Sequence, residues 1–67
     1  MIVLNGQTTE LPAGETLSAV LGSLGLTVAS PGVAIAVDRE VVPRAAWETF
    51  ALADGARVEV LTAMQGG

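Results

Sequence analysis

The stretch Val33-Ala34-Ile35-Ala36-Val37-Asp38-Arg39-Glu40-Val41-Val42-Pro43 decides the fold class. From Val33 to Val37 β-branched residues alternate with alanines, so with a period of two the larger side chains share one face of a strand. Asp38-Arg39-Glu40 reads as a polar turn and Val41-Val42 as a short strand. Pro43 ends pairing there because it has no amide to donate. Toward the N-terminus, Met1 to Leu4 is an apolar run that closes on Asn5-Gly6, a hairpin dipeptide whose residues tolerate positive φ, and Gln7 to Leu11 reads as the return strand. Pro12 and Gly14 break that strand, and Thr16 is placed to cap a helix by accepting a hydrogen bond from its free amides. Leu17, Val20, Leu21 and Leu24 follow at i, i+3, i+4, i+7 and share one helical face. Gly25 is the expected stop, and Gly22 inside the helix costs about 1 kcal/mol against alanine.

Ser30-Pro31-Gly32 forms the loop before the deciding stretch, and Ala45 to Phe50 beyond it reads as one helical turn. Asp54-Gly55 marks a turn into Arg57-Val58-Glu59-Val60-Leu61, whose alternation points Val58 and Val60 inward and Arg57 and Glu59 to water. The order of elements predicts an α+β unit, a mixed sheet of about five strands packed on one helix. Residues 1–61 form the expected single domain and residues 62–67 a C-terminal tail that is mobile in the free protein. The sequence contains no internal repeat or low-complexity tract.

Composition narrows the function classes. With 67 residues, 51% hydrophobic and no cysteine, the chain must form a compact core that no disulfide supports. It has no histidine, cysteine, tyrosine or lysine, which removes imidazole bases, thiol nucleophiles, soft-metal ligands and Schiff-base lysines, so no metal site, bound cofactor or enzymatic activity of its own is expected. The formal charge of −4 leaves no basic stripe for nucleic acid. No apolar stretch approaches the roughly 20 residues of a membrane span, and Met1 does not open a signal peptide, so a cytoplasmic protein without membrane association is expected.

The seven carboxylates fall mostly in turns or on water-facing strand positions and read as solvated charges, while Ser18 and Ser23 have no base available. The remaining reactive group is the main-chain carboxylate of Gly67. A carboxylate becomes electrophilic once its oxygen is a leaving group, which transfer to the α-phosphate of ATP accomplishes by forming an acyl adenylate, and a sulfur donor can then displace AMP. Such chemistry belongs in another protein's pocket. Gly66 and Gly67 suit a narrow channel because neither has a Cβ, and Thr62, Ala63, Met64 and Gln65 complete the segment that enters it.

The strand order ending in Gly66-Gly67 resembles the β-grasp, ubiquitin-like sulfur carriers, and the resemblance covers essentially the whole chain. Its most specific part is Ala36-Val37-Asp38-Arg39-Glu40-Val41-Val42-Pro43-Arg44-Ala45-Ala46-Trp47, which is similar to the segment of the ThiS family of the thiamine pathway that ends in Val-Pro-Arg, two variable residues and Trp. Asp54-Gly55 followed by Val58-Glu59-Val60 reinforces it. The family often has Asn where this chain has Asp38, and an acidic residue where it has Ala56. The resemblance implies that an E1-like adenylyltransferase, ThiF, activates Gly67 with ATP and magnesium. It also implies that a cysteine-desulfurase persulfide supplies sulfur and that thiazole synthase, ThiG, consumes the thiocarboxylate.

Three other readings are weaker. The molybdopterin-synthase small subunit shares the terminal chemistry but is usually longer and approaches its glycines through proline, which Thr62 to Gln65 lacks. A ubiquitin-like modifier could not build isopeptide chains on itself without lysine, and a plain interaction module would not need Gly67 free. Trp47 is expected to pack in the core, and Arg44 is open between a neighbouring carboxylate and a partner. If Val58 and Val60 face the helix, Leu61 points the other way, over Ala34 and Ala36 on a neighbouring strand, and forms an apolar docking patch near the base of the tail.

Overall fold

The computed structural model describes residues 1–63. Strand β1 (Ile2–Leu4) turns through Asn5 (φ 49°) and Gly6 (φ 83°) into β2 (Gln7–Thr9), the paired positive dihedrals whose twist matches that of antiparallel strands. β2 stops at Thr9 rather than Leu11, because Thr9 already pairs with Ile2, the first residue of β1, and leaves Glu10 without a strand partner. Helix α1 (Leu17–Ser23) follows, then β3 (Val33–Val37), β4 (Glu40–Val42), a 3₁₀ turn (Arg44–Ala46) and β5 (Arg57–Thr62). The β3–β4 turn again uses positive φ, at Asp38 (49°) and Arg39 (72°).

The sheet order is β2-β1-β5-β3-β4, so the strand that comes last in sequence lies in the middle. β5 pairs parallel with β1 and antiparallel with β3, and the remaining pairs are antiparallel. Asn5 adds a side-chain bond across the parallel seam, its Oδ1 accepting from the Val60 N–H at 2.9 Å. Inward-facing Ile2, Leu4, Ile35, Val37, Val42, Val58 and Val60 form the floor of the core, and Leu17, Val20 and Leu21 of α1 close it from above.

The ends of α1 differ from the sequence expectation. Thr16 holds the N-cap position but its hydroxyl makes no capping bond; it lies 3.5 Å from the Ser18 Oγ, and the Ser18 N–H donates instead to the Trp47 carbonyl at 3.1 Å. A carbonyl from the chain's other half therefore satisfies the amide that a cap would have taken. At the far end Leu24 has left the helix and is 43% exposed, although its spacing placed it on the buried face. The Gly25 and Leu26 amides donate to the Gly22 and Leu21 carbonyls, the paired bonds of a Schellman stop, with Gly25 at φ 76°. That turn sends Leu26 back against the core in place of Leu24.

Trp47 is 1% exposed, as its size and scarcity predict, and its indole N–H donates to the Val42 carbonyl at 2.8 Å. The 3₁₀ turn that carries it begins at Arg44, one residue earlier than expected, and Phe50 packs half-buried at the core's edge. Arg44, open on the sequence, is committed inside the chain. Its guanidinium donates to the Val28 carbonyl, reaches the Val33 carbonyl at 3.5 Å and stacks over the Trp47 ring 4.5 Å from the centroid. At the other end of the sheet, the N-terminal ammonium of Met1 donates to Asp54 Oδ1 while the Gly55 N–H donates to the Met1 carbonyl at 2.6 Å.

Two predictions follow the core and this terminal pair. Trp47→Ala should cost about 3–5 kcal/mol in urea unfolding, a large share of what a domain of this size holds, and Trp47→Phe about 1–3 kcal/mol because the buried Val42 carbonyl loses its donor. The ammonium's hydrogen bond and charge hold the Asp54 carboxyl below its ordinary value of 3.8. A lowered folded-state pKa stabilises above the ordinary value and loses that contribution as pH falls through the folded one. Asp54→Asn should therefore lower the Tm slightly at neutral pH, with the difference from wild type vanishing well below pH 3.8.

Candidate functional site

β5 carries the chain from the middle of the sheet toward the residues singled out for sulfur chemistry. It runs through Thr62, one residue beyond the expected end at Leu61, because Val33 still offers a partner in register. The Ala63 N–H then donates to the Gly32 carbonyl at 2.7 Å. Thr62 and Ala63, assigned on sequence to a mobile tail, are thus held to the start of β3 and its preceding loop. Met64, Gln65, Gly66 and Gly67 lie outside the described residues, and the expectations placed on them stand as chemistry of the sequence.

The face of the sheet away from α1 is built by strict alternation. Val58 and Val60 are buried while Arg57, Glu59 and Leu61 are exposed, and Leu61 is 68% exposed directly opposite exposed Ala34. Ala36 shares the face but sits opposite Glu59, one step removed from Leu61. On its other side Ala36 pairs with Val41, which is 78% exposed and extends the apolar strip onto β4. Val41 was missed on sequence, yet the signal was present: once Val42 turns inward before Pro43, its neighbour in a strand must point out.

At the opposite end of this face, Val3, Gly6, Arg39, Arg57, Val58 and Glu59 line a cleft between the two hairpin turns. The Asp38 carboxylate is occupied there in accepting from the Arg57 backbone N–H at 3.0 Å. Among the described residues there is no buried charged or polar side chain and no cluster of three or more His, Cys, Asp or Glu able to hold a metal ion. Nor is any described helix long and apolar enough to cross a membrane. Among the described residues, the feature that stands out on this face is the apolar strip of Leu61, Ala34, Ala36 and Val41.

The comparisons with known proteins agree with that geometry. The model of the ThiS family matches residues 2–67. The sulfur carrier protein ThiS of Escherichia coli K12 is 30% identical over 66 residues, covering 98% of this chain and 97% of the relative. A thiazole synthase of Paramagnetospirillum magneticum AMB-1 is 35% identical over 66 residues, and the chain spans 20% of that protein's length. Two structures of a thiamine biosynthesis protein from Geobacter metallireducens superpose over 98% of this chain. The crystal structure, described as ThiS, has a TM-score of 0.74 at 26% identity and is covered over 97% of its length; the solution structure has 0.77 at 28% and is covered over 86%. With a family match along nearly its whole length and the same mixed five-stranded sheet on one helix, this β-grasp chain belongs to the ThiS family, the sulfur carriers of thiamine biosynthesis.

Proposed function

We propose that the chain carries sulfur on the α-carboxylate of Gly67 and catalyses nothing itself. A ThiF-type adenylyltransferase, using ATP and magnesium, joins a carboxylate oxygen to the α-phosphorus and releases pyrophosphate. The outer sulfur of a persulfide formed by a cysteine desulfurase then attacks the acyl carbon and expels AMP; a thiol reductant cleaves the S–S bond of the resulting acyl disulfide, which leaves a thiocarboxylate on Gly67 for a ThiG-type thiazole synthase to consume. The observation that carries this reading is the family match, which extends through the terminal Gly66-Gly67. The thiazole synthase relative, which contains a segment similar to this chain, supports that class of enzyme as the consumer. The net charge of −4 favours a partner surface over nucleic acid, and the cytoplasm, where cysteine desulfurases and ATP are available, is the compartment the reading requires.

The body is gripped, in this reading, through Leu61, Ala34 and Ala36, while Thr62 to Gly66 lead Gly67 into the partner's pocket. Leu61 is exposed and stands over an alanine, so burying it costs the partner little desolvation and places an apolar contact next to the base of the tail.

Intact mass tests the chemistry. After incubation with an active ThiF-type enzyme, ATP and a sulfide source, the protein should gain one sulfur in place of one oxygen; an unchanged mass sinks the proposal. One residue added after Gly67 should abolish the gain and leave the fold intact. Leu61→Asp tests the grip: affinity for the adenylyltransferase should fall more than tenfold, about 1.4 kcal/mol, with the Tm little changed, since the new charge stays solvated in the free protein. Unaltered affinity in that variant would remove the patch from the interface.

A further inference from the structure

We infer that Gly32, fixed in place by Arg44, is a positioning residue that sets the point and direction in which the chain leaves the sheet toward Gly67. This inference rests on the sulfur-carrier reading above. The β3–β5 ladder continues one step past β3, to the bond from the Ala63 N–H to the Gly32 carbonyl at 2.7 Å. Gly32 has φ +68°, in the left-handed region, and a Cβ built on it would stand 3.1 Å from the Ala63 Cβ, closer than nine in ten real contacts of that kind. The absence of a side chain at position 32 therefore lets Ala63 sit against the backbone. The residue before it is Pro31, which has no N–H with which to prolong the ladder.

The seat is held from behind. Arg44 donates to the Val28 carbonyl and reaches the Val33 carbonyl at 3.5 Å, gripping the loop on both sides of Gly32, and its guanidinium rests on Trp47, the most deeply anchored aromatic of the core. Within the loop, Thr27 and Ser30 bond to each other's backbone: Ser30 Oγ accepts from the Thr27 N–H at 3.0 Å, and the Thr27 carbonyl accepts from the Ser30 N–H at 3.0 Å. Trp47, Arg44, the loop and Gly32 thus form a continuous brace from the core to Ala63.

Four residues follow Ala63, a reach of at most about 14 Å when extended. A body gripped by its outer face leaves little slack over that distance, and a misplacement of about 1 Å at a reacting centre can cost about a hundredfold in rate. A few tenths of an ångström forced on Ala63 act at the root of this short lever.

The test separates direction from backbone strain. Gly32→Ala introduces both the positive-φ penalty and the contact with Ala63; adding Ala63→Gly removes only the contact. With a ThiF-type enzyme and ATP, Gly32→Ala should lower the kcat of adenylation about tenfold and change KM by less than about twofold. Ala63→Gly alone sets the reference rate, because Ala63 belongs to the segment that enters the partner's pocket. The double variant should recover kcat to within about threefold of that reference while keeping the lowered Tm of Gly32→Ala, because the strained φ persists. Amide exchange at Ala63 in the free protein reads the Gly32 bond directly: protection should fall in Gly32→Ala and return in the double variant. Wild-type rates in a folded Gly32→Ala, or a double variant that stays slow relative to Ala63→Gly, overturn the positioning role while leaving the carrier reading intact. A wild-type chain that an active enzyme does not adenylate overturns the carrier reading itself, and the inference falls with it.

Discussion

The rest of the structure depends on the insertion of β5 between β1 and β3. The sheet has two hairpins, β1–β2 and β3–β4, each closed locally by a tight turn, and neither buries its apolar face alone. β5 joins them through a parallel seam to one and an antiparallel seam to the other, and its Val58 and Val60 occupy the centre of the floor on which α1 rests. Ile2 and Leu4 of β1 and Ile35 and Val37 of β3 become one continuous buried floor only once this strand is in place. The separation in sequence between Leu4 and its partner Val58 makes the parallel seam costly in chain entropy, and cooperative burial across the whole sheet offsets that cost.

Much of this was legible in the residues. The Val-Ala alternation of β3, the Asn5-Gly6 turn and the inward Val58 and Val60 all follow from a period of two and from which residues accept positive φ. The errors have two causes, competition from a distant part of the chain and a local turn at the helix end. Thr16 lost its capping role to a carbonyl thirty-odd positions away, and Leu24 lost its buried place to Leu26 when the Schellman turn redirected the chain. Arg44 was illegible because its acceptors are main-chain carbonyls, which every residue has and no sequence pattern marks.

The candidate site divides in the same way. Leu61 and Ala34 were placed together by alternation joined to a family resemblance, and the register confirms the pair. Ala36 lies on the same face, opposite Glu59, and its register could not be read from alternation, which fixes a face and leaves register to the pairing of strands distant in sequence. Gly67, reached on the sequence by eliminating other chemistries, lies outside the described residues. The strand's end at Thr62 and the seat of Ala63 on Gly32 depend on a close approach between two loops, which no local periodicity encodes.

The central position of β5 also has a mechanical meaning. A pull on the chain beyond Thr62, such as an enzyme exerts when it draws a terminus into a channel, is directed along the strand axis. The load passes at once into the ladder with β3 and, further along, into the seam with β1. Both are loaded in shear, with several hydrogen bonds strained together, whereas an edge strand peeled sideways would surrender them one at a time. The fold is therefore anchored against tension applied through Thr62.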